Sequence, residues 1–343
     1  MILGCEERNG YRFVDLFCGA GGATEGMKQA GFTPVRAHDN NPVCVETYNA
    51  NHGLRVAWWS DLAQTYPDRP WRPSADVLWA SPPCTHHSRG YAKRKDYSVF
   101  DRLAKGMAPQ YAERDPENAA MFAVPKFAAA YRYPYVVVEN VPEVRKWPLF
   151  SIWVDQMRDL GYEHLPQVLN AAKVERPVPQ TRLRYFGIFK QQGFPAPKPV
   201  LQSSRAPGVG TILEPDVGGV IALRDRPLAE TTTARIRNTI EAFPDGTRWV
   251  VPYYTGRKKG GPVSLPVGTL TKRIRHCVIT KTDAGLCFRM LSLLEQARLM
   301  GFPDEYQFTK RGKVRAEHQI GNAVCVNVAR AVGLSIAEAL NTV

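Results

Sequence analysis

Short apolar runs alternate with helical patterns through the first half of this chain of 343 residues. Periodicity predicts strands at residues 12–17, 33–38, 76–80 and 135–139, and helices at residues 22–30, 42–51 and 117–131. Strands joined through helices favour parallel pairing, because each crossover returns the chain to the same end of the sheet. The pattern therefore predicts an α/β fold built on a doubly wound, mostly parallel sheet.

The composition changes after residue 190. The following stretch is rich in Gly, Pro, Thr and Arg, and it contains no convincing amphipathic helix of any length. Helical patterns return at residues 292–300 and 323–340, and we expect these helices to pack back on the first domain. The predicted division is a large domain of residues 1–190 and 287–343, interrupted by a smaller, irregular, β-leaning domain of residues 191–286.

The overall composition is that of a soluble globular protein, with 44% apolar and 22% charged residues. No run of about 18 apolar residues occurs, and the polar residues 1–10 lack the apolar core of a signal peptide, so we expect no membrane association. The seven cysteines are scattered and include no C-x-x-C pair, which argues against a zinc site and fits a reducing cytoplasm.

The chain is strongly basic, with a net charge of +13 and a sequence pI of about 9.5. Such an excess of Lys and Arg favours a polyanionic partner such as nucleic acid. Simple solubility is the alternative, because many basic proteins bind nothing charged.

One cysteine stands directly after two prolines, in the segment Ser81-Pro82-Pro83-Cys84 that follows the strand predicted at residues 76–80. The prolines fix backbone dihedrals and remove two N–H donors, so the cysteine is held stiffly at the carboxyl end of a strand. Open α/β sheets carry their active sites at this edge. Cys84 is therefore a candidate nucleophile, although most free cysteines are simply small buried hydrophobic residues.

A glycine-rich turn at residues 17–22 joins the first predicted strand to the first predicted helix. Glycines here let the backbone approach a ligand closely, although the spacing is not the G-x-G-x-x-G of dinucleotide-binding proteins. Asp39 ends the next strand, where a carboxylate can hold ribose hydroxyls, and Asp61 is placed to take an adenine amino group. These residues predict a nucleoside pocket without an obvious phosphate site.

Five short motifs occur in the order found in the cytosine-5 DNA methyltransferases, which the chain resembles over nearly its whole length. They are D-L-F-C-G-A-G-G at 15–22, P-P-C at 82–84, E-N-V at 139–141, Q-T-R-L-R at 180–184 and Q-I-G-N-A-V at 319–324. Each motif alone is weak, whereas five in order are a strong signal. The resemblance implies the S-adenosylmethionine-dependent methyltransferase fold, with residues 191–286 as a target recognition domain and duplex DNA in the cleft between the domains.

The resemblance also implies the chemistry of four residues. Cys84 would add to carbon 6 of cytosine, which turns the ring into an enamine able to attack a sulfonium methyl group. Glu139 would hold N3 and the exocyclic amine, Arg184 would hold O2, and Arg182 would support the cysteine. The target base must leave the duplex to reach such a pocket. Taken singly, Glu139 equally suits a salt bridge, and the two arginines equally suit a solvated basic edge.

The cofactor implied by the resemblance is S-adenosyl-L-methionine. The residues expected to bind it lie in the glycine-rich turn, after the second and third strands, beside the cysteine and in the last motif: Phe17, Gly19, Ala20, Gly22, Asp39, Asn40, Asp61, Pro82, Asn322 and Ala323. Asn322 also suits the N-cap of the final helix, a role that asparagine fills well, and the two roles are compatible.

The residues after the cysteine depart from the family pattern. Many members continue with Gln and end this stretch in Phe-Ser, whereas this chain has Thr85-His86-His87-Ser88. Adjacent histidines rarely share one metal ion, and no partner ligand is evident, so no metal is expected. The basic stretch at residues 89–95 resembles part of a loop that closes over DNA, and an ordinary exposed loop is the alternative.

A segment of the form T-x-T-x-R-I-R occurs twice, at residues 231–237 and 269–275. It is interpreted as a surface that contacts DNA, with two similar strands bearing solvated arginines as the alternative. Together with the loop after the cysteine, it supplies the predicted DNA-binding residues: Thr85, Arg89, Lys93, Arg94, Arg235, Arg237, Arg273 and Arg275.

Three other functions stay open from the sequence. An RNA cytosine-5 methyltransferase acting on tRNA shares this architecture, although the large basic domain favours duplex DNA. A catalytically silent DNA-binding regulator would keep the fold, although intact Cys84, Glu139 and Arg184 argue against it. An enzyme using a carboxylated S-adenosylmethionine would need an extra cation near the sulfonium.

The partners and location follow from the preferred interpretation. We expect a cytoplasmic enzyme of prokaryotic or phage origin that acts on double-stranded DNA as a monomer. A cognate restriction endonuclease is a candidate partner.

Overall fold

A computed structural model describes residues 10–62, 67, 74–83, 116–253, 259–272, 276–309 and 315–343. Seven strands form its main sheet: β1 (Arg12–Leu16), β2 (Thr33–Asp39), β3 (Ala57–Trp59), β4 (Val77–Ala80), β5 (Tyr135–Asn140), β6 (Tyr162–Asn170) and β8 (Leu183–Gln191). Their order in the sheet is β3-β2-β1-β4-β5-β8-β6. The first five strands of this order are parallel to one another, and β8 is antiparallel to both β5 and β6. The predicted mostly parallel sheet is confirmed.

Both faces of this sheet are buried. Successive strand residues point to opposite faces, so Phe13 and Trp79 join one apolar cluster while Val14 and Leu78 join the other. Helices from the first half of the chain cover the faces: α1 (Gly22–Gln29), α2 (Pro42–His52), α3 (Pro116–Tyr131) and α4 (Phe150–Asp159). Burial on both faces explains why the central strands β4 and β5 are almost continuously apolar.

A second sheet lies in the region predicted to be a separate domain. It has the antiparallel order β11-β10-β13-β14-β9, formed by β9 (Gly219–Val220), β10 (Arg248–Pro252), β11 (Gly261–Pro262), β13 (His276–Thr282) and β14 (Gly285–Met290). Strand β14 runs past the predicted boundary at residue 286. The division into domains remains a prediction.

The expectation that this region lacks a substantial helix is wrong, because α5 (Glu230–Ala242) packs on the second sheet. Thr232, Ile236 and Thr239 face inward at spacings of four and three residues, and Ile236 joins Trp249 in the apolar cluster of this sheet. A run of threonines has low intrinsic helix propensity, and the packing of this stripe outweighs it.

The last helices return to the first sheet. They are α6 (Leu293–Leu299), α7 (Ala316–Asn322) and α8 (Val326–Leu340). Helix α8 packs so closely on α1 that a Cβ at Gly26 would lie 2.3 Å from the backbone oxygen of Val326. By length and composition alone residues 316–340 could cross a membrane, but 89% of their most apolar window is buried inside the protein, as in a core helix.

Candidate active site

The glycine-rich turn between β1 and α1 has an unusual backbone. Phe17 and Gly19 have φ angles of 58° and 52°, in the left-handed region. A non-glycine residue such as Phe17 is strained there, and strain of this kind clusters at ligand sites. No other described atom lies within 4 Å of the place where a Cβ on Gly19 would stand. The turn therefore presents open backbone at the carboxyl edge of the sheet.

Asp39 is tied to this turn. Its Oδ2 accepts the backbone N–H of Gly19 at 2.8 Å, and its Oδ1 accepts that of Asn41 at 2.8 Å. Burial raises the pKa of Asp39, and the two N–H groups oppose the shift. Each carboxylate oxygen keeps a second acceptor position, so the group can accept further hydrogen bonds.

The rim beside Asp39 is exposed. Asp61, which follows β3, and Asn40 are both solvent-exposed, and their predicted contacts with a nucleoside stay a prediction. Trp59 also lies there: its indole Nε1–H donates to the backbone oxygen of Asn40 at 3.0 Å, while 71% of the residue stays exposed. The sequence interpretation missed Trp59, and the tryptophan pair shortly before Asp61 is the signal that could have indicated it.

A buried carboxyl group lies behind the turn. The hydroxyl of Thr24 donates to Asp15 Oδ2 at 2.7 Å and contacts the hydroxyl of Tyr48 at 2.8 Å. Asp15 Oδ1 has no hydrogen-bond partner among the described residues. Burial raises the pKa of Asp15 to about 7, against the hydrogen bond from Thr24 and with a smaller contribution from Asp39. This network supports the turn from inside the fold.

The segment that leads to the predicted nucleophile is anchored to the strand with the E-N-V motif. The side-chain amide of Asn140 donates to the backbone oxygen of Pro82 at 3.3 Å, and the backbone N–H of Ser81 donates to the backbone oxygen of Leu16 at 3.0 Å. Pro82 is buried and Pro83 exposed. Asn140 thus has a positioning role that the sequence interpretation did not identify.

Glu139 and Arg184, two of the predicted catalytic residues, are brought together by the structure. Arg184 Nε lies 3.1 Å from Glu139 Oε1, across the antiparallel pair β5 and β8. Burial raises the pKa of Glu139, whereas Arg184 and then Arg182 lower it. Glu139 thus forms the salt bridge that was its alternative role, and this contact is compatible with the predicted catalytic role. Arg184 is partly buried, so it does not lie on a fully solvated edge.

Arg182 is buried and connects three parts of the chain. Its Nη1 donates to the backbone oxygen of Leu270 at 2.9 Å, and its Nη2 donates to those of Gly321 and Ala323 at 3.2 and 3.1 Å. The alternative of a solvated basic edge is thus wrong for this residue. Arg182 joins the Q-T-R-L-R motif to the last motif and to the second T-x-T-x-R-I-R segment.

The last motif lies against the glycine-rich turn. A Cβ at Gly22 would lie 2.4 Å from the backbone oxygen of Val324, so only glycine permits this approach. Asn322 is exposed and is the final residue of α7, whereas Cys325 occupies the N-cap of α8. The N-cap alternative for Asn322 is wrong, because residues 323–325 separate the two helices. Its predicted place beside the cofactor stays a prediction.

The two T-x-T-x-R-I-R segments do not share a structure. The first lies within α5, where Arg237 is exposed and Arg235 half-buried. The second segment begins directly after the short strand β12 (Val267–Gly268). Strand β12 pairs in parallel with β7 (Gln180–Thr181). There the hydroxyl of Thr269 donates to the backbone oxygen of Thr181 at 2.9 Å. The alternative of two similar strands is therefore wrong, because the first segment is helical.

Several predicted residues lie outside the described part of the chain: Cys84, Thr85, His86, His87, Arg89, Lys93, Arg94, Arg273 and Arg275. Within the described ranges, no group of three or more His, Cys, Asp and Glu residues is arranged to hold a metal ion.

Comparisons with known proteins show the family and the fold of the chain. A family model described as C-5 cytosine-specific DNA methylase matches residues 11–338. The chain is 28% identical to the Type II methyltransferase M.NlaX of Neisseria lactamica, over 97% of this chain and 98% of that protein. It is 27% identical to the Type II methyltransferase M.HhaI of Haemophilus parahaemolyticus, over 98% and 97%. The solved S. pombe Dnmt2 methyltransferase matches with a TM-score of 0.62 and 16% identity, over 97% of this chain and 98% of that one, which is a likeness of fold alone.

Proposed function

Because this chain belongs to the C-5 cytosine-specific DNA methylase family, we propose that it methylates carbon 5 of a flipped-out cytosine in duplex DNA, with S-adenosyl-L-methionine as donor. The observation that carries the proposal is the pair Glu139 and Arg184, 3.1 Å apart at the sheet edge. The bond from Asn140 to Pro82 holds the segment before Cys84 beside this pair.

The chemistry uses covalent activation. The Cys84 thiolate forms a bond to carbon 6 while Glu139 gives a proton to N3, so that the ring becomes an enamine with a nucleophilic carbon 5. The cofactor supplies an electrophilic methyl group. With the methyl group on carbon 5, the carbon 5 proton passes to water, its electron pair forms the C5–C6 double bond and expels the Cys84 thiolate, and N3 returns its proton to Glu139. A raised pKa favours the protonated Glu139 that the addition to carbon 6 requires, and we expect Arg184 to hold O2.

The described residues fit the cofactor. Open backbone beside Gly19 leaves room for it, and the free acceptor positions of Asp39 suit the two ribose hydroxyls. Asp61 and Asn40 lie on the exposed rim where adenine would rest. The other residues proposed to hold the cofactor are Phe17, Ala20, Gly22, Pro82, Asn322 and Ala323.

Residues 191–286 are proposed to select the DNA sequence. They contain fourteen Lys and Arg against seven Asp and Glu, a positive balance that suits the phosphate backbone. The similarity to Type II methyltransferases supports a role in restriction–modification, in the cytoplasm of a prokaryote, beside a cognate endonuclease. The Dnmt2 likeness is one of fold alone and carries no argument about the substrate.

Trapping with 5-fluorocytosine tests the proposal, because fluorine cannot leave carbon 5 as a proton does. A randomised duplex library carrying 5-fluorocytosine, incubated with protein and cofactor, should give a complex that survives denaturing electrophoresis. Cys84→Ala should give none, and Glu139→Gln should form it at least ~100-fold more slowly. A stable adduct with Cys84→Ala would move the nucleophile elsewhere, and trapping only with 5-fluorocytosine tRNA would favour the RNA alternative.

A further inference from the structure

We propose that His52 and Tyr306 form a buried pair that positions the glycine-rich turn for cofactor binding. The two side chains act through the backbone of Ala20 and Gly21, so they are positioning residues and do not touch the cofactor themselves. The inference rests on the proposed cofactor function of the turn. Neither residue belongs to the motifs that identify the family.

The pair is linked to the turn by an ordered chain of hydrogen bonds. The Tyr306 hydroxyl donates to the backbone oxygen of Ala20 at 2.5 Å, and His52 Nε2 lies 2.8 Å from the same hydroxyl. A phenol has one hydrogen, and Ala20 receives it. His52 must therefore carry its proton on Nε2 and donate to the Tyr306 oxygen. The direction of both bonds is set.

The turn also rests directly on this pair. A Cβ at Gly21 would lie 2.5 Å from His52 Nε2 and 2.7 Å from the Tyr306 hydroxyl. Gly21 has a φ of 88°, so both the space and the backbone conformation require glycine. The side chain of His52 is fully buried, and Tyr306 is nearly so. Two aromatic rings thus form a floor beneath the turn.

The floor is fixed to the rest of the pocket by α2. Next to His52, the Asn51 side chain exchanges two hydrogen bonds with the backbone of Gln307, at 2.8 and 2.9 Å. The amino-terminal end of α2 lies beside Asp39, whose carboxylate accepts the backbone N–H of Gly19. Helix α2 therefore positions two parts of the proposed cofactor site. Through His52 it supports the glycine-rich turn, and through its first residues it positions Asp39, the carboxylate proposed to bind the ribose.

Burial and the neighbouring Lys28 keep His52 neutral, against the more distant carboxylate of Glu25. Lys28 Nζ lies 3.4 Å from its Nδ1, Glu25 Oε2 lies 3.9 Å from the same atom, and the Tyr48 ring packs at 4.7 Å between centroids. Burial lowers the pKa of His52 to about 3, assisted by Lys28 and opposed by the backbone of Gly21. A neutral ring with Nδ1 turned to an ammonium group is the tautomer that donates from Nε2.

Calorimetric titration with S-adenosylhomocysteine tests the role without requiring catalysis. His52→Leu and Tyr306→Phe should each raise Kd about tenfold or more, the effect of losing roughly one hydrogen bond of 1.4 kcal/mol. His52→Gln, whose amide can donate near the place of Nε2, should stay within about threefold. At saturating cofactor, kcat should be nearly unchanged in all three, and the double variant should be no worse than the poorer single variant.

A second histidine–tyrosine pair supplies the matched control. His164 Nε2 lies 2.7 Å from the Tyr185 hydroxyl, on β6 and β8, away from the turn. His164→Leu should lower Tm and leave the Kd unchanged. In hydrogen exchange, only the His52 and Tyr306 variants should expose the amides of residues 18–22.

The outcomes separate the two proposals. Wild-type protein that binds S-adenosylhomocysteine, together with a His52→Leu variant of equal affinity, overturns the positioning role alone. The positioning role is also overturned if His52→Leu, His52→Gln and His164→Leu all lose affinity in proportion to their loss of Tm. A wild-type protein that binds no S-adenosylhomocysteine overturns the proposed cofactor, and this inference with it.

Discussion

The side-chain amide of Asn140 donates a hydrogen bond to the backbone carbonyl of Pro82, across 3.3 Å. Asn140 follows Glu139 at the end of β5, and Pro82 stands two residues before Cys84. One strand end therefore supplies a carboxylate to the Arg184 pair and fixes the segment that carries the proposed nucleophile. A short motif such as E-N-V can thus serve two parts of one site.

Asn140→Ala should lower kcat about 10- to 100-fold with little change in cofactor Kd, because a small displacement of the nucleophile is costly to the reaction. Single-turnover methylation and calorimetry measure the two quantities. Asn327→Ala is the matched control, since Asn327 is also buried and donates to a backbone oxygen, that of Ala171, at 2.8 Å. Equal losses of rate in both variants would show that Asn140 acts only on stability.

Asp39→Ala should weaken the binding of S-adenosylmethionine tenfold or more. A hydrogen bond to a charged group is worth about 1.5–3 kcal/mol, and the ribose clasp would lose two. Asp76→Ala is the control: Asp76 also accepts a backbone N–H, that of Arg12 at 2.7 Å, but at the opposite end of the strands. Calorimetry that finds unchanged affinity for Asp39→Ala would remove this residue from the site.

Acid should destabilise the fold through His52. Its folded pKa, about 3, lies below the ordinary value of 6.5, so the unfolded chain binds the extra proton between these values. Stability from this group is complete above pH 6.5 and should fall by about 2 kcal/mol by pH 5. The free energy of unfolding, measured by urea denaturation at a series of pH values, should therefore fall more steeply with acid in wild type than in His52→Gln.

The pH dependence of wild type must be compared with that of His52→Gln, because Asp15 affects stability in the opposite direction. Its pKa is raised to about 7, so the native state binds the extra proton between 3.8 and 7, and acid stabilises the fold through this group. Parallel stability curves for wild type and His52→Gln from pH 8 to pH 5 would contradict a depressed pKa at His52.

At least one of Arg235, Arg237, Arg273 and Arg275 should select the DNA sequence. We expect the effect first at Arg237, which is exposed on α5. An arginine that contacts a base edge, changed to alanine, should relax preference at one position by about 1–3 kcal/mol, whereas one that binds phosphate should weaken all sequences and flatten the salt dependence. Methylation of a randomised duplex library distinguishes the two effects. Wild-type preference and salt slope in all four variants would make these segments structural.

The sequence by itself determined the parallel core and the edge where the site lies. Short apolar runs and helical stripes depend on residues a few positions apart, so the strands ending in Leu16, Asp39, Ala80 and Asn140 could be predicted, within a residue, from local pattern. The motifs likewise indicated Glu139 and Arg184, since their chemistry depends on residue type.

Only the tertiary structure decided how distant segments meet. The three carbonyls that surround Arg182, the bond from Asn140 to Pro82 and the floor made by His52 and Tyr306 join residues from 58 to 254 positions apart. The helix at Glu230–Ala242 belongs here too, because burial against a sheet outweighed the low helix propensity of its threonines. Local patterns record how a segment can fold, whereas these contacts depend on which surfaces pack against each other, and that is set by the whole chain.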